Sequence, residues 1–374
     1  AGANKQVVLG NLSIGSEILT VSGGNTYGLE IGGTTTLEGN AFFNNGVDFV
    51  LNGAVSSGGG QVLIHKIGTG TFWVNSNNAA TLTGPTYVNS GLLDWGNRFT
   101  FSTTANLGTG DIYINPGATA RVRGVGNLNT ASGQQMVLTS TPYSSAMLRT
   151  AASFTQAQLQ SFIQTRTTTS NEVSYVSFEA NLAADNLDQS LLGDGRIYFG
   201  AIGDRTYTGA ATGSSLLPGE ANHANAVVGG ASTNKVYRLG HNSANTLTIN
   251  LTAAGAGLGD AGGNPTDVQI GSLATLGVTN WNTGFVYFQD QNTYTGQTVV
   301  SRGLTLRFNT SMNATDSAGP LGANAGSLID VYGGLRVEQG GSFKNFTGTA
   351  NFYNTINLHP IKNQSYQDAT ATSP

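Results

Sequence analysis

The chain has 374 residues, of which 39% are hydrophobic and only 10% charged, with 53 glycines, 8 prolines and no cysteine. The charged fraction is far below the roughly 25% of an ordinary soluble domain, and the net charge of −4 arises from 16 Lys and Arg against 20 Asp and Glu without a basic block. This composition excludes a disulfide framework, a thiolate nucleophile and a thiolate zinc site, and it disfavours nucleic acid and anionic lipid as partners.

Small residues at Ala1-Gly2-Ala3 suit the mature end left by a signal peptidase, so export to the cell surface or beyond is expected. No apolar run reaches the roughly 18 residues that a membrane helix needs. Up to about residue 64 the chain alternates short apolar pairs with turn signals. Leu12/Ile14, Leu19/Val21, Leu29/Ile31, Phe49/Leu51 and Val62/Ile64 are separated by Gly23-Gly24-Asn25, Gly32-Gly33, Asn44-Asn45-Gly46, Asn52-Gly53 and Gly58-Gly59-Gly60. Many short strands with such punctuation mean an all-β sandwich, barrel or solenoid.

A repeat chooses among these. Gly68-Thr-Gly70-Thr-Phe72-Trp-Val74 leads to Gly84-Pro-Thr86-Tyr-Val88-Asn-Ser-Gly91-Leu92. Far downstream, Val286-Tyr-Phe288 leads to Asn292-Thr-Tyr294-Thr-Gly296-Gln-Thr298-Val-Val300-Ser-Arg-Gly303-Leu304. Gly84/Gly296, Thr86/Thr298, Val88/Val300 and Gly91/Gly303 all lie 212 residues apart, giving G-x-T-x-V-x-x-G-L twice. Each copy runs on to a Leu-Gly pair, Leu107-Gly108 and Leu321-Gly322, and then to a further strand and glycine. The glycines are expected to form left-handed corners, and Thr86 and Thr298 to sit on pleated, half-buried strands. A unit that recurs with its punctuation, and cannot bury its apolar face alone, is the mark of stacked coils.

The pattern resembles the autotransporter-associated β-strand repeat, most clearly at Asn292-Thr-Tyr294-Thr-Gly296. The first copy departs there, reading Asn77-Asn-Ala-Ala-Thr81-Leu82-Thr-Gly84. The resemblance covers about a third of the chain. It implies a bacterial, exported protein wound as a right-handed parallel β-helix, and it implies no chemistry.

Between about 131 and 195 the pattern breaks. Thr155-Gln-Ala-Gln-Leu159-Gln-Ser-Phe162-Ile163 has apolar residues at helical spacing behind a capping Thr, which predicts a short helix whose Leu159, Phe162 and Ile163 are buried. Ala180–Leu192 is read as a second, weaker helix. Strands resume at Arg196-Ile-Tyr198-Phe199, and the tail beyond His359 is polar.

Candidate chemistry is thin. Gly257-Leu-Gly259-Asp-Ala-Gly262 matches G-x-G-x-x-G, but Gly263-Asn-Pro265 follows where a dinucleotide site needs a helix, so a loop is expected. His65, His223, His241 and His359 lack metal-ligand spacing. Asp185/Asp188, Asp194, Asp204, Asp260 and Asp267 are the candidate carboxylates of a sugar-cleaving site, and are read as solvated loop residues. Phe42-Phe43, Phe72-Trp73, Tyr198-Phe199 and Tyr287-Phe288 must each turn one ring outward, so a sugar-stacking strip is conceivable.

The resulting expectation is an all-β, right-handed parallel β-helix. Solenoid coils occupy 1–130 and 196–358, an insertion with a short helix occupies 131–195, and a polar tail occupies 359–374. The expected role is structural or adhesive and non-enzymatic, without cofactor or metal. Val7-Val8-Leu9 at one end and Phe352, Ile356 and Leu358 at the other lack evident caps, so other copies of the chain are the expected partners through end-to-end contacts, and cell-surface polysaccharide is a further candidate. Two alternatives stay open. A polysaccharide-active enzyme, a lyase or glycosidase, would converge three carboxylates in one cleft. A carbohydrate-binding adhesin would show a row of solvent-facing aromatics.

Overall fold

The computed structural model describes residues 5–24, 27–78, 81–96, 99–141, 144–166, 174–182, 186–209, 215–222, 232–240, 245–251, 257–271, 284–301, 303–308, 321–323, 328–331, 334–337 and 355–358. Alternation at period two cannot be satisfied by strands this short unless each lies on another, and the chain stacks them as a parallel β-solenoid. One 14-stranded sheet runs the length of the molecule, from Gln6–Leu9 through Thr71–Val74, Gly91–Trp95 and Thr298–Val300 to Thr355–Leu358. In the first half the chain leaves this long sheet, crosses a 3-stranded sheet (Leu12–Ile14, Thr35–Leu37, Val55–Ser57) and returns through a 7-stranded sheet running from Ile18–Val21 to Ile163–Arg166. In the second half a 5-stranded sheet, from Arg205–Tyr207 to Gly334–Val337, stands beside the long one.

Parallel register makes the core a set of columns. Phe49, Phe72, Leu93, Ala120, Leu148, Val176, Phe199, Leu239, Ile270, Val300 and Val331 lie one above another on the inner face of the long sheet, all buried. Burying each large member stabilises the fold by about 1.5–3 kcal/mol. The 3-stranded sheet stops after Val55–Ser57 because asparagines replace its next strand. The Val55 N–H donates to Asn78 Oδ1 at 2.7 Å, and the Asn78 N–H donates to Asn106 Oδ1 at 3.1 Å. Asn127 continues the pile, its Nδ2 donating to the Ala105 carbonyl at 2.8 Å.

The expected helix forms over Gln156–Phe162 with Thr155 as its N-cap, and a capping box joins Thr155 and Gln158. Leu159, Phe162 and Ile163 are buried, as their spacing requires, although Ile163 already begins the next strand. The stretch 131–195 also contributes Met136–Thr139, Ala146–Thr150, Ile163–Arg166 and Ser174–Phe178 to the two main sheets, so the coils run through it and the helix occupies one connection. The second helix is corrected. The described part of 180–192 is a strand pair at Leu187–Asp188 and a single 3-10 turn at Gln189–Leu191. Leu182, Leu187 and Leu192 are buried at a spacing of five, which suits successive corners rather than one helical face, and Asp188 caps the turn through the Ser190 N–H. The tail 359–374 lies outside the described residues. Among the described residues no helix is long and apolar enough to cross a membrane.

Candidate functional site

The two repeat copies build the same corner. In the first, the Asn89 N–H donates to the Lys66 carbonyl at 2.8 Å, and Ser90 Oγ donates to the Gly68 carbonyl at 2.9 Å in the coil below. In the second, the Ser301 N–H donates to the Ile270 carbonyl at 2.8 Å, and Ser301 Oγ donates to the Gly271 carbonyl at 2.8 Å. Gly91 (φ 69°) lies between Gly68 (φ 82°) and Gly117 (φ 82°), and Gly303 (φ 77°) follows Gly271 (φ 74°) and Gly240 (φ 84°). The left-handed corner expected at Gly68, Gly91 and Gly303 is therefore present. Gly70, Gly84 and Gly296 are different: their φ angles are not left-handed, and a side chain there would run into backbone of the coil below, at Val47, Val62 and Thr266 respectively. They are glycines of close approach, which spacing alone does not separate from glycines of turning.

The corner is tied to the motif and not to a face. Thr86–Val88 belongs to the 7-stranded sheet and hands over to the long sheet at Gly91–Trp95; Thr298–Val300 belongs to the long sheet and hands over to the 5-stranded one at Leu304–Phe308. Val88 and Val300 are buried, as are Thr86 and Thr298. Tyr294, pushed above its usual phenol pKa by burial, shares a 2.7 Å hydrogen bond with Thr298 Oγ1. Leu82 stands in its place in the first copy, and Thr86 Oγ1 is left buried without a partner. Asn292 Oδ1 accepts the Leu258 N–H at 2.8 Å; Asn78, two positions off register, does the same for Val55, so the departing first copy keeps the bond.

The other sequence candidates disperse. Gly257–Gly262 is a loop that turns at Gly262 and Gly263 and enters the strand Thr266–Ile270, with no helix behind it. The described carboxylates accept hydrogen bonds that hold the chain; Asp267 is buried, whereas Asp204 is exposed, as the loop reading expected. Asp260 accepts from the Thr266 and Thr295 N–H groups and from Thr295 Oγ1. Asp267 accepts from Ser232, Asn234 and the Gln297 N–H, Asp204 from the Thr246 N–H, and Asp194 from Arg196. No group of three or more His, Asp or Glu among the described residues could hold a metal. Asp185, His223, His241 and His359 lie outside those residues.

A row of outward rings does exist. Phe42, His65, Tyr87 and Tyr113 stack on the outer face of the 7-stranded sheet, with centroids 4.5, 5.0 and 4.8 Å apart and planes within 14°. Burial between Phe42 and Tyr87 lowers the His65 pKa. The rings cover one another's faces and offer their edges outward, so the interior of the row is not a stacking platform for sugars. Sequence reading missed a different group on the outer face of the long sheet. Arg123 clamps the buried Asp94 through Nε and Nη2, both at 2.8 Å, and Arg121 bridges Asp94 and Glu179. Arg149 Nε donates to Glu179, and the Arg123 guanidinium carbon lies 3.7 Å from the Phe101 ring centroid. The signal was present as Arg121-Val-Arg123, alternating outward and inward, but its acids lie on other coils.

Comparison with protein-family models, with characterised proteins and with solved structures finds no match to this chain.

Proposed function

We propose that the protein is an exported structural β-solenoid that joins other copies of itself end to end. The carrying observation is the first coil, where Val7, Val8, Leu9 and Ile18 are each at least half exposed and Gln6–Leu9 forms an outer strand of the long sheet. The Lys5 and Leu9 carbonyls accept from Gly28 and Gly32. By alternation, Gln6 and Val8 turn their backbone N–H and C=O to the side on which no described strand lies. A strand added there from another copy would continue the parallel ladder and cover the apolar side chains. Such a contact is heterologous, and unless its rotation closes it propagates as a filament. The carboxylates already engaged in holding turns, and the resemblance to exported repeat proteins, support a structural role over a catalytic one.

Sedimentation velocity over a concentration series tests this. The wild type should form a growing series of oligomers, and Val8→Pro, which removes an outward N–H and spares the inner ladder, should sediment as a monomer. A wild type that stays monomeric at high concentration, or a Val8→Pro variant that assembles equally well, would refute the proposal.

A further inference from the structure

We infer that the outer face of the long sheet around Phe101 and Arg149 binds a chain of acidic hexoses, with a pyranose ring on Phe101 and a uronate carboxylate on Arg149. This goes beyond the assembly proposal and does not depend on it, because these residues lie on a side of the solenoid and not at its end.

The platform is built from below. Just past the strand Gly91–Trp95, an antiparallel bridge joins Gly96 to Phe101 and brings Phe101 back to the outer face of the sheet. It presents Phe99 and Phe101, 63% and 61% exposed. The Phe101 ring rests on Trp73, with centroids 6.4 Å apart and planes at 23°, and on the Arg123 guanidinium. Arg123 is itself fixed by its two bonds to Asp94. One face of Phe101 is thus held against the sheet and the other is open. A free aromatic face held rigid suits the C–H face of a pyranose, which it desolvates without losing rotamer freedom.

The charge lies beside it. Register places Asp94, Arg121 and Arg149 side by side on neighbouring strands. Arg121 and Arg149 share Glu179, Arg149 through its Nε. The Arg149 Nη1 and Nη2 donors have no hydrogen-bond partner among the described residues, and its side chain is 22% exposed. Glu179 therefore fixes the fork at its base through Nε, and the partly exposed side chain keeps two Nη donors for a planar carboxylate. Arg121, Arg123 and Arg149 against Asp94 and Glu179 leave one positive charge in excess. Arg121 is 5.8 Å from the Phe101 centroid, and one strand spacing further sets Arg149 about 10 Å from the ring. That span matches a disaccharide, with the ring and the carboxylate on successive units.

Calorimetry with tetragalacturonate, and with the same tetrasaccharide as its full methyl ester, tests the inference. Tetragalacturonate should bind, and binding should weaken with added salt. Its affinity should fall by about tenfold or more in Phe101→Ala and in Arg149→Gln, two outward substitutions whose folding is checked by circular dichroism. The ester should bind at least about tenfold more weakly to the wild type and should be insensitive to Arg149→Gln. No binding at millimolar ligand, equal binding of acid and ester, or affinity unchanged by both variants would overturn it. So would a Phe101→Ala variant that loses only self-association while neither sugar binds, which would mark a protein-docking surface.

Discussion

The two repeat corners follow one plan and differ in how they are filled. The place beneath the motif valine is taken by Ile270 under Val300 in the second corner and by Lys66 under Val88 in the first. Lys66 is fully buried with no salt-bridge partner among the described residues, and its ammonium donates to the Ile67 and Gly68 carbonyls at 3.1 and 2.7 Å. Desolvation lowers its pKa from 10.5 to about 8. The first corner is correspondingly tight. A side chain on Gly91 would meet the Gly68 and Gly70 carbonyls at 2.6 Å and Lys66 Nζ at 2.8 Å, whereas no atom of the described residues lies within 4 Å of the equivalent point on Gly303. A motif can therefore fix the path of the chain while leaving the packing against that path to the neighbouring coil.

The largest effect should separate the glycines. Gly303→Ala should cost about 1–2 kcal/mol, the penalty of a left-handed conformation for a residue with Cβ. Gly91→Ala adds backbone clash and displacement of the Lys66 ammonium, and should cost about 3 kcal/mol or more. Chemical denaturation of the two variants would break the comparison if their midpoints fell together.

A middle-sized effect should separate the threonines. Thr298→Val leaves the Tyr294 hydroxyl unpaired in the core and should destabilise by about 1–3 kcal/mol. Thr86→Val removes a hydroxyl that already lacks a partner and should be neutral or slightly stabilising. Equal losses at the two sites would mean that Thr86 Oγ1 is satisfied in solution.

How much of this was legible follows the same division. The strands, the corners and the helix at Gln156–Phe162 were readable because each depends on local spacing: alternation for strands, glycine for corners, a capping Thr with apolar residues three and four apart for the helix. The handover between different sheets was not, because a face is defined by the coil below and not by the motif. Asn78 escaped because its role depends on Oδ1 reaching Val55, which a shift of two residues does not prevent. The Arg–Asp–Glu group escaped because Arg121, Arg149 and Glu179 meet only through register, 28 and 30 residues apart in the chain. The bonds from Asp260 and Asp267 to backbone N–H groups of the next coil escaped for the same reason.

The smallest effect sharpens the contrast between Lys66 and Ile270. The folded-state pKa of Lys66 is lowered, so between about pH 8 and 10.5 the folded chain has released a proton that the unfolded chain still holds. Stability should therefore rise with pH across that window, by about 1 kcal/mol or more, and the penalty should be fully present below it. Lys66→Met should flatten the rise, because the second corner carries Ile270 at that place. An undiminished rise in Lys66→Met would assign the proton elsewhere.

The central claim is that the open edge of the first coil receives a strand from another copy, and residue-resolved amide hydrogen exchange over a concentration series tests it most directly. The account predicts that the outward amides of Gln6 and Val8 gain protection as concentration rises, while Val7 and Leu9, already turned toward Gly28–Ile31, change little. Outward amides that exchange at the same fast rate at every concentration, or that are protected even at the lowest because the chain itself covers them, would contradict it.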